Sequence, residues 1–135
     1  MKETNFIDSA LKVIQIEANA VLALKDQIHG KFDDLCKNIL NVKGKLILMG
    51  IGKSGHVAQK ISATLSSTGT PSFFIHPTEA AHGDLGMIDK KDAILILSNS
   101  GETKEIIEIL PALKRCAGNV FTLTNNSDSS IAKSG

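Results

Sequence analysis

The sequence predicts a three-layer α/β fold, a mainly parallel, doubly wound sheet with helices on both faces and a helical segment in front of it; three features carry that prediction. Four short apolar runs, at 46–49, 72–75, 93–97 and 120–123, are bounded by Gly, Ser and Asn, which is how strands buried on both faces read. Helix-length stretches separate the first run from the second and the third from the fourth, and such alternation demands right-handed crossovers between parallel neighbours. The 135 residues amount to one domain, enough to bury a core and too few for a second.

The elements follow in order. Between Asn5 and Ile28, residues Ile7, Leu11, Ile14, Ala18, Val21, Leu22 and Ile28 recur at steps of three, four or seven, or lie beside such a position, so a long amphipathic helix opens the chain. Gly30 interrupts it. Phe32, Leu35, Cys36, Ile39 and Leu40 restart the pattern as a shorter helix ending near Lys43 and Gly44. Thus 1–44 form the helical part and 45–135 the α/β core. Helices are predicted over 55–67 and 103–116, the latter carrying Ile106, Ile107, Ile109, Leu110 and Leu113. Residues 77–89 read as a loop with at most one helical turn. Past Asn125 the chain is polar, with Ser127 or Asp128 a candidate N-cap for a final helix.

Composition excludes several functions. Fifteen basic and fourteen acidic side chains leave a formal charge of +1, so no long-range field gathers nucleic acid or an anionic membrane. Without Trp or Tyr, and with five scattered Phe, there is no stacking platform for single strands. Cys36 and Cys116 are far apart, match neither a zinc spacing nor a redox pair, and read as buried thiols. No signal core or membrane-length apolar run is present, so the expected location is the cytoplasm.

Two turns carry the chemistry. The first strand runs into Gly50-Ile51-Gly52-Lys53-Ser54-Gly55 and a helix, where glycines let the backbone approach a ligand and helix amides favour an anion. A Walker A loop would need Gly where Ile47 stands. The dinucleotide fingerprint matches letter for letter, yet Ile75-His76-Pro77 occupies the place of its acidic residue. Lys53 suits a small phosphate-bearing substrate better; a ligand-free glycine turn is the bland alternative. The third strand runs into Ser98-Asn99-Ser100-Gly101-Glu102-Thr103 and another helix, a second anion cradle. Helix capping would account for one of its hydroxyls and leave the others unexplained. In the flavodoxin-like strand order 2-1-3-4 both turns face one crevice at the switch point, where one phosphate can touch both. A third cluster, His76 to Asp84, brings His76, Glu79, His82 and Asp84 into the loop after the second strand, as substrate contacts or as loop ties.

These blocks together, Gly50 to Gly55, Thr68-Gly69-Thr70-Pro71-Ser72-Phe73-Phe74, Glu79-Ala80-Ala81-His82-Gly83-Asp84-Leu85-Gly86 and Ser98 to Glu102, resemble the SIS (sugar isomerase) domain of D-arabinose 5-phosphate isomerases. The resemblance implies interconversion of D-ribulose 5-phosphate and D-arabinose 5-phosphate at the start of Kdo synthesis for lipopolysaccharide, by a cytoplasmic homotetramer. It assigns catalysis to Lys53 and Glu105 and sugar-phosphate contacts to Gly52, Ser54, Glu79, His82, Ser98, Ser100 and Thr103. A family histidine linked to metal inhibition falls on His82, implying inhibitory zinc and no required cofactor. The family's enzymes continue with more strand and helix, a further glutamate and histidine, and usually paired CBS domains, none of which follows Gly135. The chain therefore reads as a truncated enzyme or as an SIS module that binds sugar phosphate without turnover.

Aldose–ketose isomerisation through a cis-enediol needs a base that returns its proton and positive charge near the enediolate oxygen. Lys53 fits the electrostatic role. Glu105, in the first turn of the helix leaving the serine-rich turn, fits the proton carrier, with Glu102 expected on the same face. The bland reading of both glutamates is acids favoured by the helix dipole.

Overall fold

The structure, a computed structural model, describes residues 5–135. The chain divides into two compact units, Met1–Cys36 and Lys37–Gly135. The first holds α1 (Phe6–Ala23), whose N-cap Asn5 accepts hydrogen bonds from the N–H groups of Ile7 and Asp8. A short 3₁₀ turn (Leu24–Asp26) follows, and α2 (Gly30–Leu40) crosses the boundary between the units. Gly30 thus starts the second helix where an interruption was expected, because the break falls before it, at 27–29.

In the second unit come β1 (Leu46–Gly50), α3 (Gly52–Ser67), β2 (Ser72–Phe74), α4 (Pro77–Ala81), β3 (Ala93–Leu97), α5 (Lys104–Cys116) and β4 (Asn119–Leu123). The four strands form one parallel sheet in the order β2-β1-β3-β4, as predicted, with β2 and β4 at its edges. Period-two alternation splits the core in two. Ile47, Met49, Ile94 and Ile96 face a cluster with Ile106, Ile109, Leu110 and Leu113 of α5 and Ala80 of α4. Leu46, Leu48, Leu95 and Leu97 face Ala58, Ile61 and Leu65 of α3, with Ile39 and Val42 beside them. Each sheet face is covered, which makes three layers, and truncating a buried Ile or Leu here to Ala should cost about 2–5 kcal/mol.

Three local differences from the sequence reading have physical causes. α3 begins at Gly52 instead of Gly55, because first-turn residues donate no intrahelical bonds and a glycine there costs little. The loop of 77–89 holds more helix than one turn: the His76 ring nitrogen Nδ1 accepts from the Thr78 N–H, Pro77 sits in the first turn of α4, and a 3₁₀ turn covers Asp84–Met87. Near the C-terminus neither Ser127 nor Asp128 caps a helix; the Asp128 N–H donates to the Asn126 side chain, and only a 3₁₀ turn (Ala132–Ser134) follows. The cysteines are free and half-buried where full burial was expected.

The site is positioned by register. Gly50 of β1 pairs with Leu97 of β3, and Leu97 with Leu123 of β4, so three neighbouring strands end level at their carboxyl edge. The segments that leave them must start side by side.

Candidate functional site

A cavity of about 360 Å³ lies where those three strands end. Lys53, Ser54 and Val57 of α3 form one wall, Leu97, Ser98 and Asn99 the second, and Leu123, Thr124 and Asn125 the third. The two turns singled out in the sequence therefore open into one space. Polar groups gather around a floor that includes three aliphatic side chains, the usual make-up of a small-molecule site.

Close packing shapes the first turn. A Cβ on Gly55 would lie 2.7 Å from the Gly50 carbonyl oxygen, so only a glycine lets α3 start this near the end of β1. Gly52 has φ +57° and exposed surroundings, and its backbone turns Lys53 and Ser54 toward the cavity. The N-cap of α3 is Ile51, which has no capping side chain. α5 likewise starts from Thr103 with no side-chain cap bond. α3 thus begins on the cavity wall without a side-chain cap, leaving first-turn amides and the positive end of its dipole to an anion, while the uncapped α5 starts from Thr103, whose hydroxyl is 2.8 Å from that of the cavity-lining Ser98.

The hydroxyls of the second turn do not cap α5; they build the turn. Ser98 Oγ is 2.8 Å from Thr103 Oγ1 and accepts from the Gly101 N–H at 3.1 Å, while Ser100 Oγ accepts from the Glu102 N–H at 3.1 Å. Ser98 is buried and lines the cavity; Ser100 and Thr103 do not line it.

This turn is also tied to the chain beyond β4. The Asn125 N–H and the Thr124 hydroxyl both donate to the Asn99 carbonyl, at 3.1 and 3.3 Å, and the Ile131 N–H donates to the Gly101 carbonyl at 3.1 Å. Glu102 precedes the helix and does not share a face with Glu105: its carboxylate accepts from the Ser130 N–H at 2.8 Å. The Ser130 N–H, then its hydroxyl, and more weakly Lys133, hold the exposed Glu102 carboxyl below its ordinary range.

The remaining candidates stand elsewhere. Glu105 is exposed in the first turn of α5 and is not part of the cavity wall. Glu79 in α4 and His82 at its C-cap are both exposed and also off the wall. Among the described residues no three His, Cys, Asp or Glu side chains converge as a metal ion would require, at His82 or elsewhere.

Sequence reasoning placed Asn99 in the second turn without giving it a role, and missed Thr124 and Asn125. The signal for the last two was available: they follow β4 as Ser98 and Asn99 follow β3, and a neighbouring parallel strand delivers its next residues to the same edge.

Comparison with known proteins agrees with this fold. The SIS domain family matches residues 39–135. An arabinose 5-phosphate isomerase, KdsD, of Pseudomonas aeruginosa is 50% identical over 129 residues, covering 96% of this chain and 40% of the relative. An arabinose 5-phosphate isomerase, KpsF, of Escherichia coli is 53% identical over 128 residues, covering 94% and 40%. The chain thus spans about 40% of the length of these curated relatives. Among solved structures, an E. coli CFT073 protein in complex with arabinose 5-phosphate superposes with a TM-score of 0.90 at 44% identity, covering 99% of this chain and 71% of that one. A Listeria monocytogenes protein gives a TM-score of 0.93 at 30% identity, covering 100% and 71%.

Proposed function

The chain belongs to the SIS-domain family, and from that premise we propose that it serves an aldose–ketose isomerase interconverting D-ribulose 5-phosphate and D-arabinose 5-phosphate. The observation that carries the reading is the shared cavity, in which a lysine-bearing turn and a serine-bearing turn meet at level strand ends beside the uncapped N-terminus of α3. A phosphate suits that chemistry: the α3 dipole, the Ser98 hydroxyl and the Lys53 ammonium favour a compact dianion, and 360 Å³ accommodates a pentose attached to it.

With the aldose ring open, a base takes the proton from C2, the carbonyl oxygen at C1 is protonated, and a cis-enediol forms. Return of a proton to C1 and loss of one from the C2 hydroxyl gives the ketose. In this reading Lys53, on the cavity wall, supplies the positive charge that stabilises the enediolate oxygen, a contribution on the order of 10²- to 10³-fold in rate for one well-placed donor. Glu105 is the proton carrier of this segment. No step of this reading draws on a cofactor.

The cellular setting proposed is cytoplasmic Kdo synthesis for lipopolysaccharide. Among the described residues no helix is long and apolar enough to cross a membrane, which fits that setting. A homotetramer is the proposed assembly, supported by the apolar side chains exposed on α1, among them Phe6 at 80%, Ile7 at 72% and Leu11 at 61%.

A second reading, a module that binds sugar phosphate without turnover, is favoured by the position of Glu105 off the cavity wall. One pair of measurements separates the two. NMR of ribulose 5-phosphate with the protein should show arabinose 5-phosphate forming, and calorimetric titration with arabinose 5-phosphate should show heat. Heat without conversion selects the binding module, stronger responses to hexose or heptose phosphates reassign the substrate, and a folded sample giving neither response sinks both readings.

A further inference from the structure

We infer that Glu102 is a positioning residue for the ligand cavity, acting through the segment 124–131 without touching the ligand; this rests on the sugar-phosphate reading of that cavity. The third wall is made by Leu123, Thr124 and Asn125, and only Leu123 belongs to a strand. Thr124 and Asn125 are held by what grips the chain after β4, and that grip is the serine-rich turn. Its Asn99 and Gly101 carbonyls accept bonds from 125 and 131, and the Glu102 carboxylate accepts the Ser130 N–H at 2.8 Å.

The clasp closes tightly. Ser129 and Ile131, on either side of Ser130, are 1% and 0% exposed, and the space above the α-carbon of Gly101 is filled by the Ser129 side chain. Glu102 itself is exposed, is absent from the cavity wall, and lies ahead of α5, so neither helix stability nor substrate contact accounts for its carboxylate. Its partner does: an N–H of the segment is paired by a side chain adjacent to Gly101. A carboxylate is the stronger acceptor for such a bond, yet an amide oxygen in the same place can accept it too. That distinction separates positioning from proton transfer, since glutamine keeps the acceptor and cannot carry a proton.

The test uses the full chain as E102A and E102Q. Calorimetric titration with arabinose 5-phosphate should give a Kd raised roughly five- to tenfold in E102A, the scale of a coupling between separate sites, and close to wild type in E102Q. Where turnover is measurable, KM should rise with Kd in E102A while kcat stays within about twofold, the signature of lost uniform binding. Hydrogen exchange without ligand should show the Ser130 and Ile131 amides exchanging faster in E102A than in wild type or E102Q. Unchanged affinity in E102A, equal damage in E102Q, a fall in kcat at constant KM, or unaltered exchange of the two amides would each overturn the assignment. A wild-type chain that takes up no sugar phosphate overturns the functional reading instead, and the ligand-free exchange experiment still decides whether Glu102 holds the segment.

Discussion

The turn after β1 and the turn after β3 stand level on the same sheet and lead into helices of similar length beside the same cavity, yet they are held in different ways. Everything that shapes the first lies within six residues: Gly50 and Gly55 in close approach, Gly52 at φ +57°, and an uncapped α3. The second is shaped partly by its own hydroxyls and partly by Thr124, Asn125, Ser130 and Ile131, which lie 25 to 30 residues downstream of their partners. A turn that lines a cavity can thus be built locally from glycine or at long range through a clasp. The local form presents a charge, whereas the clasped form presents a fixed hydroxyl.

Four experiments break or sharpen that contrast, beginning with the largest expected effect. Lys53→Met keeps the shape of the first turn and removes its charge, so kcat/KM for ribulose 5-phosphate should fall by about two to three orders of magnitude with the thermal midpoint nearly unchanged. A loss under threefold would mean that the turn works through its backbone alone.

Next come two glycine substitutions of the same kind. Gly52→Ala meets open space and only the penalty of a left-handed backbone, about 1–2 kcal/mol, whereas Gly101→Ala at φ +69° also drives a methyl group into Ser129, for about 2–4 kcal/mol in total. Urea denaturation compares them, and equal losses would show that the downstream segment yields without cost.

Ser98→Ala removes the side-chain acceptor of the buried Gly101 N–H, which keeps its bond to the Ser98 carbonyl, and should cost about 0.5–1.5 kcal/mol, with weaker pentose phosphate binding. Calorimetry and denaturation on one sample would test both effects. The smallest effect concerns acid. Because the Glu102 carboxyl is held below its ordinary range in the folded protein, its contribution is present above the unfolded glutamate value of about 4.3 and is lost as pH falls through the lower folded value. Thermal midpoints of wild type and E102Q, followed from pH 7 downward, should converge or cross only below that point; an identical difference at every pH would mean that the carboxylate charge is not linked to folding.

The same contrast explains what could be read from residues alone. β1 and β3 were legible because Leu46 to Met49 and Ala93 to Leu97 are apolar without interruption, as strands covered on both faces must be. The two crossover helices implied parallel strands, and the flavodoxin-like order 2-1-3-4, adopted by analogy, brought Lys53 and Ser98 to one edge. Lys53 and Ser54 were legible because glycine spacing signals a turn by itself. Thr124 and Asn125 could have been brought to that edge by the same parallel order, but not their hold on the Asn99 carbonyl, 25 or more residues earlier, since main-chain acceptors leave no trace in residue identity. Glu102 was misplaced for a related reason: spacing from Glu105 suggested a shared helical face, but α5 starts at Lys104, which frees the earlier side chain to find Ser130.

The filled space above Gly101 ties two distant positions to a common evolutionary history. A lineage that gains a side chain at 101 would have to empty residue 129, move the Thr124 hydroxyl and hold a left-handed backbone at once. Glycine should therefore persist at 101 across descendants of this chain while residue 129 varies only among small side chains.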